Sequence, residues 1–149
     1  MKKLICIVMA IALIAVVKPL KAQFRDVPAA VTNAMKDKYP NAKDISWEDK
    51  VSSFQAKFLM DGKTHEARFK KDGTWEVTEK AILFEEMPKA VQDAFNASEF
   101  KKWTLRTVAE LNNNQGGNEF RIYVRNNTVN RKYLYYGVDG KLLKEAYNL

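Results

Sequence analysis

The sequence predicts an α+β fold: two tandem helix-plus-antiparallel-strand repeats forming one two-layer domain, with the helices on one face of a continuous antiparallel sheet. Three observations carry that expectation. Val27-Pro28-Ala29-Ala30-Val31-Thr32-Asn33-Ala34-Met35 returns sixty residues later as Met87-Pro88-Lys89-Ala90-Val91-Gln92-Asp93-Ala94-Phe95, with Pro, Ala, Val and Ala in register. Behind each copy run segments that alternate apolar and polar residues, the period-two mark of half-buried strands. Asp-Gly pairs at 61–62, 72–73 and 139–140 punctuate those segments and suit tight turns between strands.

The first element is a leader. Met1-Lys2-Lys3 precedes the uncharged, mostly apolar run Leu4 to Val17, and Lys18-Pro19-Leu20-Lys21-Ala22 closes it. That is the layout of a secretory signal peptide with a cut after Ala22. Fourteen residues rise only about 21 Å as a helix, short of the ~30 Å of a bilayer core, so cleavage is expected rather than a permanent anchor. The whole chain of 149 residues carries a formal charge of +7, but residues 1–22 hold four of its lysines and no acid. The remaining 127 residues have 21 basic against 18 acidic side chains, an excess of three. So small an excess gives no broad field for a phosphate backbone, and nucleic acid drops out as the leading partner. Cys6, the only cysteine, falls inside the leader, so the mature chain is expected to use no disulfide, thiol chemistry or cysteine metal ligand. Export to a periplasm or out of the cell follows, with no membrane span after cleavage.

Residues 23–149 form the domain, with repeats at about 24–84 and 85–149. Each opens on a short helix. An acid (Asp26, Glu86) stands ahead of it and proline occupies the first turn, where its missing amide costs nothing. Val27, Val31, Ala34 and Met35 make one apolar stripe, and Met87, Val91, Ala94 and Phe95 repeat it. Strands follow. Segments near Ile45–Trp47 and Trp103–Ala109 open the two sets. Phe54, Ala56, Phe58 and Met60 alternate with polar neighbours, as do His65, Ala67 and Phe69. Thr74 to Thr78 supplies a further strand with Trp75 and Val77 on one face. In the second half Phe120, Ile122 and Val124 alternate with Arg121, Tyr123 and Arg125, and Lys132 to Val138 follows, with Leu134, Tyr136 and Val138 toward the core. The longer second half finds room for its extra residues in the loop Asn112–Asn118. A unit of about 60 residues buries only about 60% of its unfolded surface, so the two are expected to fuse their sheets.

Thr64-His65-Glu66-Ala67-Arg68-Phe69-Lys70-Lys71-Asp72-Gly73-Thr74-Trp75-Glu76-Val77-Thr78-Glu79 has a distinctive A-x-F-x-x-D-G-x-W core. Together with Met87-Pro88-Lys89-Ala90-Val91 and Tyr135-Tyr136-Gly137-Val138-Asp139-Gly140-Lys141-Leu142-Leu143, it resembles the PepSY-like family. That family is also labelled β-lactamase-inhibitor-like, after its similarity in fold to the β-lactamase inhibitory protein. The likeness covers roughly residues 24–149. It implies an exported bacterial protein of tandem helix-plus-sheet repeats with no catalytic residues and no cofactor, and a role in binding or inhibiting another protein. No inhibitory contact residue carries over position by position, and the missing cysteines depart from the disulfide-bearing inhibitory protein.

The residues themselves offer little chemistry. His65 is the sole histidine, with neither a cysteine to activate nor a second histidine to complete a metal site, and it shares a strand face with Ala67 and Phe69. Its plain reading is a packed histidine near the core or sheet edge. Serines exist at 46, 52, 53 and 98, but no Gly-x-Ser-x-Gly elbow does. The neighbours Glu48/Asp49 and Glu85/Glu86 would point to opposite faces of a strand and make no two-carboxylate site. The Asp-Gly turns lack the ligand-rich spacing of a calcium loop. Gly116-Gly117 lacks the helix and Lys-Ser/Thr of a phosphate loop. The chain therefore reads as no enzyme, without cofactor or metal.

What remains is a surface. Were the helices to cover one sheet face, the other would present Arg121, Tyr123, Arg125, Tyr133 and Tyr135 at one end, and Gln55, Lys57, Glu66, Arg68 and Lys70 at the other. Tyr and Arg dominate many protein interfaces. We expect Arg68, Arg121, Tyr123, Arg125, Tyr133 and Tyr135 to bind another envelope or secreted protein or peptide, the chain acting as an inhibitor or adaptor. Cross-strand Tyr pairs and Arg–Tyr stacking also stabilise ordinary sheets, so the same residues fit a plain sheet surface, or one covered by Tyr147-Asn148-Leu149. The alternative is a periplasmic small-ligand carrier or sensor with a pocket between helices and sheet, lined by the small residues Ala30, Ala34, Ala67, Ala90 and Ala94. Trp47 and Trp75 read as core or edge packing.

Overall fold

Pro28 and Pro88 stand immediately ahead of the two helices, α1 (Ala29–Lys38) and α2 (Lys89–Ala97). Each proline carbonyl accepts the first helical amides, Val31 and Thr32 in one case, Val91 and Gln92 in the other. The structure is a computed structural model that describes residues 26–127 and 130–147. The leader 1–22 and its cleavage site lie outside the described residues, as do Asn148 and Leu149.

After α1 come β1 (Lys43–Lys50), β2 (Ser53–Met60), β3 (Lys63–Lys70) and β4 (Trp75–Ile82). A 3₁₀ turn at Phe84–Glu86 leads to α2 and a second one at Glu99–Lys102 leads out of it. Then follow β5 (Thr104–Asn113), β6 (Asn118–Arg125), β7 (Arg131–Gly137) and β8 (Leu142–Tyr147). All eight strands form one antiparallel sheet in sequence order, β1 to β8, joined in the middle by β4 and β5. The fold is α+β and mostly sheet.

Register assigns the two faces. His65 lies opposite Lys80, Lys80 opposite Glu110, Glu110 opposite Phe120 and Phe120 opposite Tyr136, so these share one face. That face holds both cores. Val31 and Met35 of α1 pack on Phe54, Ala56, Phe58, Ala67 and Phe69. Val91 and Phe95 of α2, with Met87 and Phe100, pack on Val108, Phe120, Ile122, Val124, Leu134 and Tyr136. Each large buried side chain contributes roughly 1.5–3 kcal/mol through the water it sheds, which two short helices need. Both helices thus cover the same side, and their cores do not merge. Between them the covered side shows the polar row Thr78, Lys80, Glu110 and Asn112.

The Asp-Gly turns brace the helices. A Cβ on Gly73 would stand 2.7 Å from the Ala30 carbonyl oxygen, and one on Gly140 would run into that of Ala90. Both glycines have positive φ, +89° and +83°, a conformation that disfavours a side chain even without the contact. The missing side chains of Gly73 and Gly140 let each turn approach the helix start at Ala30 and Ala90. Ala30 and Ala90 are accordingly exposed rather than cavity-facing, which corrects the expectation that they line an inner pocket.

Further expectations give way to local geometry. Trp75 and Val77 do not share a face: a bulge sets Trp75 opposite Phe69 and Val77 opposite Arg68, turning the indole to the covered side and the valine to the open one. Val138 is not a core residue. β7 ends at Gly137 and Val138 sits in the turn, 55% exposed. Glu86 does not serve the helix as a distant negative charge. Its carboxylate accepts the Leu83 amide at 2.7 Å and pairs with Lys63, tying the 3₁₀ turn to the β2–β3 hairpin.

Candidate functional site

Among the described residues no helix covers the opposite face of the sheet. Arg68 lies opposite Gln55 and Val77, and the row Ala109, Arg121, Tyr135, Lys144 runs across β5 to β8. Tyr123 and Tyr133 are directly opposed one step along, and Arg125 faces Arg131 beyond them. All six residues singled out from the sequence therefore share the open face, each half-buried by its neighbours. Arg121, Tyr123, Arg125, Tyr133 and Tyr135 form one group on β6 and β7, while Arg68 stands apart on β3. Tyr147 does not cover them. It is opposite Lys132, on the helix side, where the Lys132 ammonium sits 5.5 Å from its ring centroid.

Arg121 is engaged within the chain. Its guanidinium makes a two-pronged contact with Glu79 of β4, one N–H donating to Oε1 at 2.8 Å and a second to Oε2. To reach from β6 to β4 the side chain crosses β5, where Ala109 and Leu111 lie on this same face. Both are only 8% exposed, and the bridge roofs this small apolar patch. Burial works to lower the Arg121 pKa, but the Glu79 carboxylate and its hydrogen bonds outweigh burial and hold it above the ordinary value. The guanidinium also lies 5.0 Å from the Tyr133 ring centroid, and Tyr133 packs on Tyr123 at 4.9 Å. Lys144 stands 5.6 Å from the Tyr135 ring. Aromatic and guanidinium groups thus brace one another before any partner arrives.

The charge on this face is uneven. From β1 to β3 it carries Lys43, Lys50, Lys57, Arg68 and Lys70 against Glu48 and Glu66. From β4 onward it carries Arg121, Arg125, Arg131 and Lys144 against Glu79 and Glu119. Nine cations face four carboxylates, an excess of five, whereas the whole chain after residue 22 has an excess of three. The carboxylates are also spoken for. Glu48 pairs with Lys50 at 2.6 Å and Glu66 accepts from Gln55 at 2.8 Å. Glu79 holds Arg121, and Glu119 accepts from Asn113 at 3.5 Å.

A second feature lies on the covered side, with a lining other than the alanines expected of a pocket there. Where the two cores fail to meet, a cleft of about 270 Å³ opens, lined by Lys38, Tyr39, His65, Trp75, Thr78, Lys80, Glu110 and Asn112. Thr78 Oγ1 accepts the Trp75 indole N–H at 2.8 Å and shares a hydrogen bond with the Tyr39 hydroxyl. Desolvation raises the Tyr39 pKa against the pull of those bonds. The Lys38 ammonium sits 3.6 Å from the Trp75 ring centroid. His65 is 5% exposed and stacks on Phe58 at 5.4 Å, a packed histidine. Its Nδ1 lies 3.1 Å from the Lys63 carbonyl, which can only accept, so Nδ1 is the donor of that bond. Among the described residues no group of three or more His, Cys, Asp or Glu gathers to hold a metal, and no helix is long and apolar enough to cross a membrane.

Comparison with known proteins places these features. The profile of a family described as "Putative beta-lactamase-inhibitor-like, PepSY-like" matches residues 16–57 and 52–144. A crystal structure of a "BLIP-like protein" from Bacteroides fragilis is 31% identical, with 80% of this chain and 86% of that one covered at a TM-score of 0.71. One from Bacteroides eggerthii, described among "putative periplasmic proteins", is 26% identical, covers 81% and 88%, and has a TM-score of 0.75. A DUF2874 family protein from Bacteroides uniformis, 24% identical over 80% and 88%, shares the fold at a TM-score of 0.75. Among curated proteins none matches.

Proposed function

The chain belongs to the PepSY-like, β-lactamase-inhibitor-like family, and from that premise we propose that it is an exported, non-enzymatic module that binds another envelope or secreted protein through the open sheet face, as an inhibitor or adaptor. The observation that carries this reading is the uncovered, cation-rich face with Tyr123, Tyr133, Tyr135, Arg121 and Arg125 gathered on two adjacent strands. Tyrosines braced by neighbours lose little freedom on docking, which is why such residues make strong anchors. Export is supported by the leader-like residues 1–22 and by the periplasmic description of a structural relative. We read the domain as 23–149 and its halves as two copies of one unit. The helix-start alanine under an Asp-Gly turn, Ala30 with Gly73 and Ala90 with Gly140, is the contact that supports this.

The test is affinity capture from envelope extract with residues 23–149, followed by affinity measurement on the captured protein. Tyr123→Ala and Tyr133→Ala are each expected to weaken it tenfold or more, about 1.4 kcal/mol, with the fold retained. Unchanged affinity in both variants would remove the open face as the binding surface.

The seam cleft favours a second reading, a carrier or sensor of a small ligand. About 270 Å³ walled by Tyr39, Trp75 and His65 could hold a small polar molecule. A ligand retained in native mass spectrometry and lost in Trp75→Ala would support it, and a ligand-free mass would count against it.

A further inference from the structure

Two hydroxyls lining the seam cleft have a hydrogen to spare. The Trp75 indole can only donate, so Thr78 Oγ1 is its acceptor at 2.8 Å. Thr78 and Tyr39 then share one hydrogen bond, and whichever hydroxyl donates in it, the other keeps an O–H that the pair does not use. Thr78 is only 7% exposed, and a donor so far from water carries a penalty that an arriving acceptor removes. Beside this pair the Lys38 ammonium stands 3.6 Å from the Trp75 ring centroid, and among the described residues it pairs with no carboxylate. Lys80 and Glu110, across the same cleft, pair with each other. The lining therefore presents one unmatched positive charge and one spare hydroxyl donor next to an indole.

We infer that the cleft takes a small organic acid with a single carboxylate. One oxygen accepts from the Lys38 ammonium and the other from the spare hydroxyl, while the body of the acid lies along the Tyr39 and Trp75 rings. A space of about 270 Å³ keeps the acid small, and Glu110 disfavours a second negative charge. The inference rests on the seam cleft being a ligand site and gives that ligand its chemistry.

The probe is benzoate, with uncharged benzamide as its control, titrated into isotopically labelled 23–149 and followed by amide and indole resonances. Benzoate is expected to move the Trp75 indole N–H and the amides of Lys38, Tyr39 and Thr78 at millimolar concentration, less so as salt rises. Benzamide should bind about tenfold more weakly or not at all. Lys38→Met keeps a stem over the indole and loses the charge, so it should weaken benzoate about tenfold and leave benzamide alone. Lys38→Arg, which keeps charge and stacking, should retain benzoate binding. Benzamide binding in the cleft as tightly as benzoate, or Lys38→Met binding benzoate like wild type, would overturn the carboxylate and keep the cleft as a ligand site. Resonances of the cleft unmoved by benzoate would overturn the inference too, and a ligand retained in native mass spectrometry and lost in Trp75→Ala would still support the carrier reading.

Discussion

Removing the carboxylate of Glu79 should destabilise the protein far more than a surface substitution does. The pair lies over Ala109 and Leu111 on the open face, and the Arg121 and Glu79 side chains keep just 22% and 16% of their exposure. Breaking a fully buried pair costs about 3–5 kcal/mol, because the surviving charge is left without a partner. With residual exposure at both ends, Glu79→Gln should cost about 2 kcal/mol. For a chain of this length that lowers the melting temperature by roughly 6–10 °C. The decisive assay is a double-mutant cycle by urea unfolding: Glu79→Gln, Arg121→Met and the two combined. Arg121→Met keeps the stem over Leu111 and leaves Glu79 unpaired, so each single variant should cost more than its share of the double. A coupling of about 1–2 kcal/mol is expected. If the two losses add within about 0.5 kcal/mol, the bridge is not holding the face and Arg121 is an ordinary surface residue.

The other expectations concern the turns, the core and acid. Gly140→Ala should cost about 2–4 kcal/mol in urea unfolding, from collision with the Ala90 carbonyl added to a positive φ, whereas Gly116→Ala, with open space at φ +85°, should cost about 1 kcal/mol; equal losses would disprove the bracing contact. The Tyr136 hydroxyl is buried without a hydrogen-bond partner, and burial raises the phenol's pKa despite the nearby Ser98 hydroxyl. Tyr136→Phe should therefore leave stability unchanged or raise it by about 1 kcal/mol, and a loss of that size would mean the hydroxyl is satisfied. The Leu83 amide first, and Lys63 second, hold the Glu86 carboxyl below its ordinary value of 4.5. A depressed folded pKa gives stability that is present above 4.5 and lost as pH falls through the lower folded value. The melting temperatures of wild type and Glu86→Gln should thus differ at pH 7 and converge toward pH 3, and a constant gap would refute the role.

The elements most legible in the sequence were those whose signals are local. Pro28 and Pro88 marked helix starts, alternation at Phe54–Met60 and Phe120–Val124 marked strands, and the Asp-Gly pairs marked turns. Within one strand the period of two sends residues to a face without knowledge of the neighbour, so Arg121, Tyr123 and Arg125 could be grouped correctly. What stayed hidden depends on register between strands. Glu79, 42 residues from Arg121 in the chain, becomes its partner only once β4 pairs with β5 across the boundary between halves. The opposition of Arg125 and Arg131 likewise depends on the register of β6 against β7. A bulge defeated the period itself at Trp75 and Val77, because one extra residue flips every side chain beyond it.

The polar seam is what makes the open face a single platform. The two cores lie on one side of the sheet and never touch, so apolar packing does not set the angle between the halves. That task falls to the six opposed pairs of β4 and β5 and to two ion pairs on adjacent residues of β4. Glu79 reaches Arg121 on the open side and Lys80 reaches Glu110 on the covered side. Adjacent strand residues point to opposite faces, so the two bridges hold the seam from both sides at one level. Neither half could dispense with the other, since parting β4 from β5 would bare two long strand edges, the surfaces most prone to pair with other chains. Arg121 therefore stands at once in the tyrosine group proposed as the docking surface and in the clasp that holds the halves in line. A partner that pulled on its guanidinium would be felt at β4 as well as at the contact.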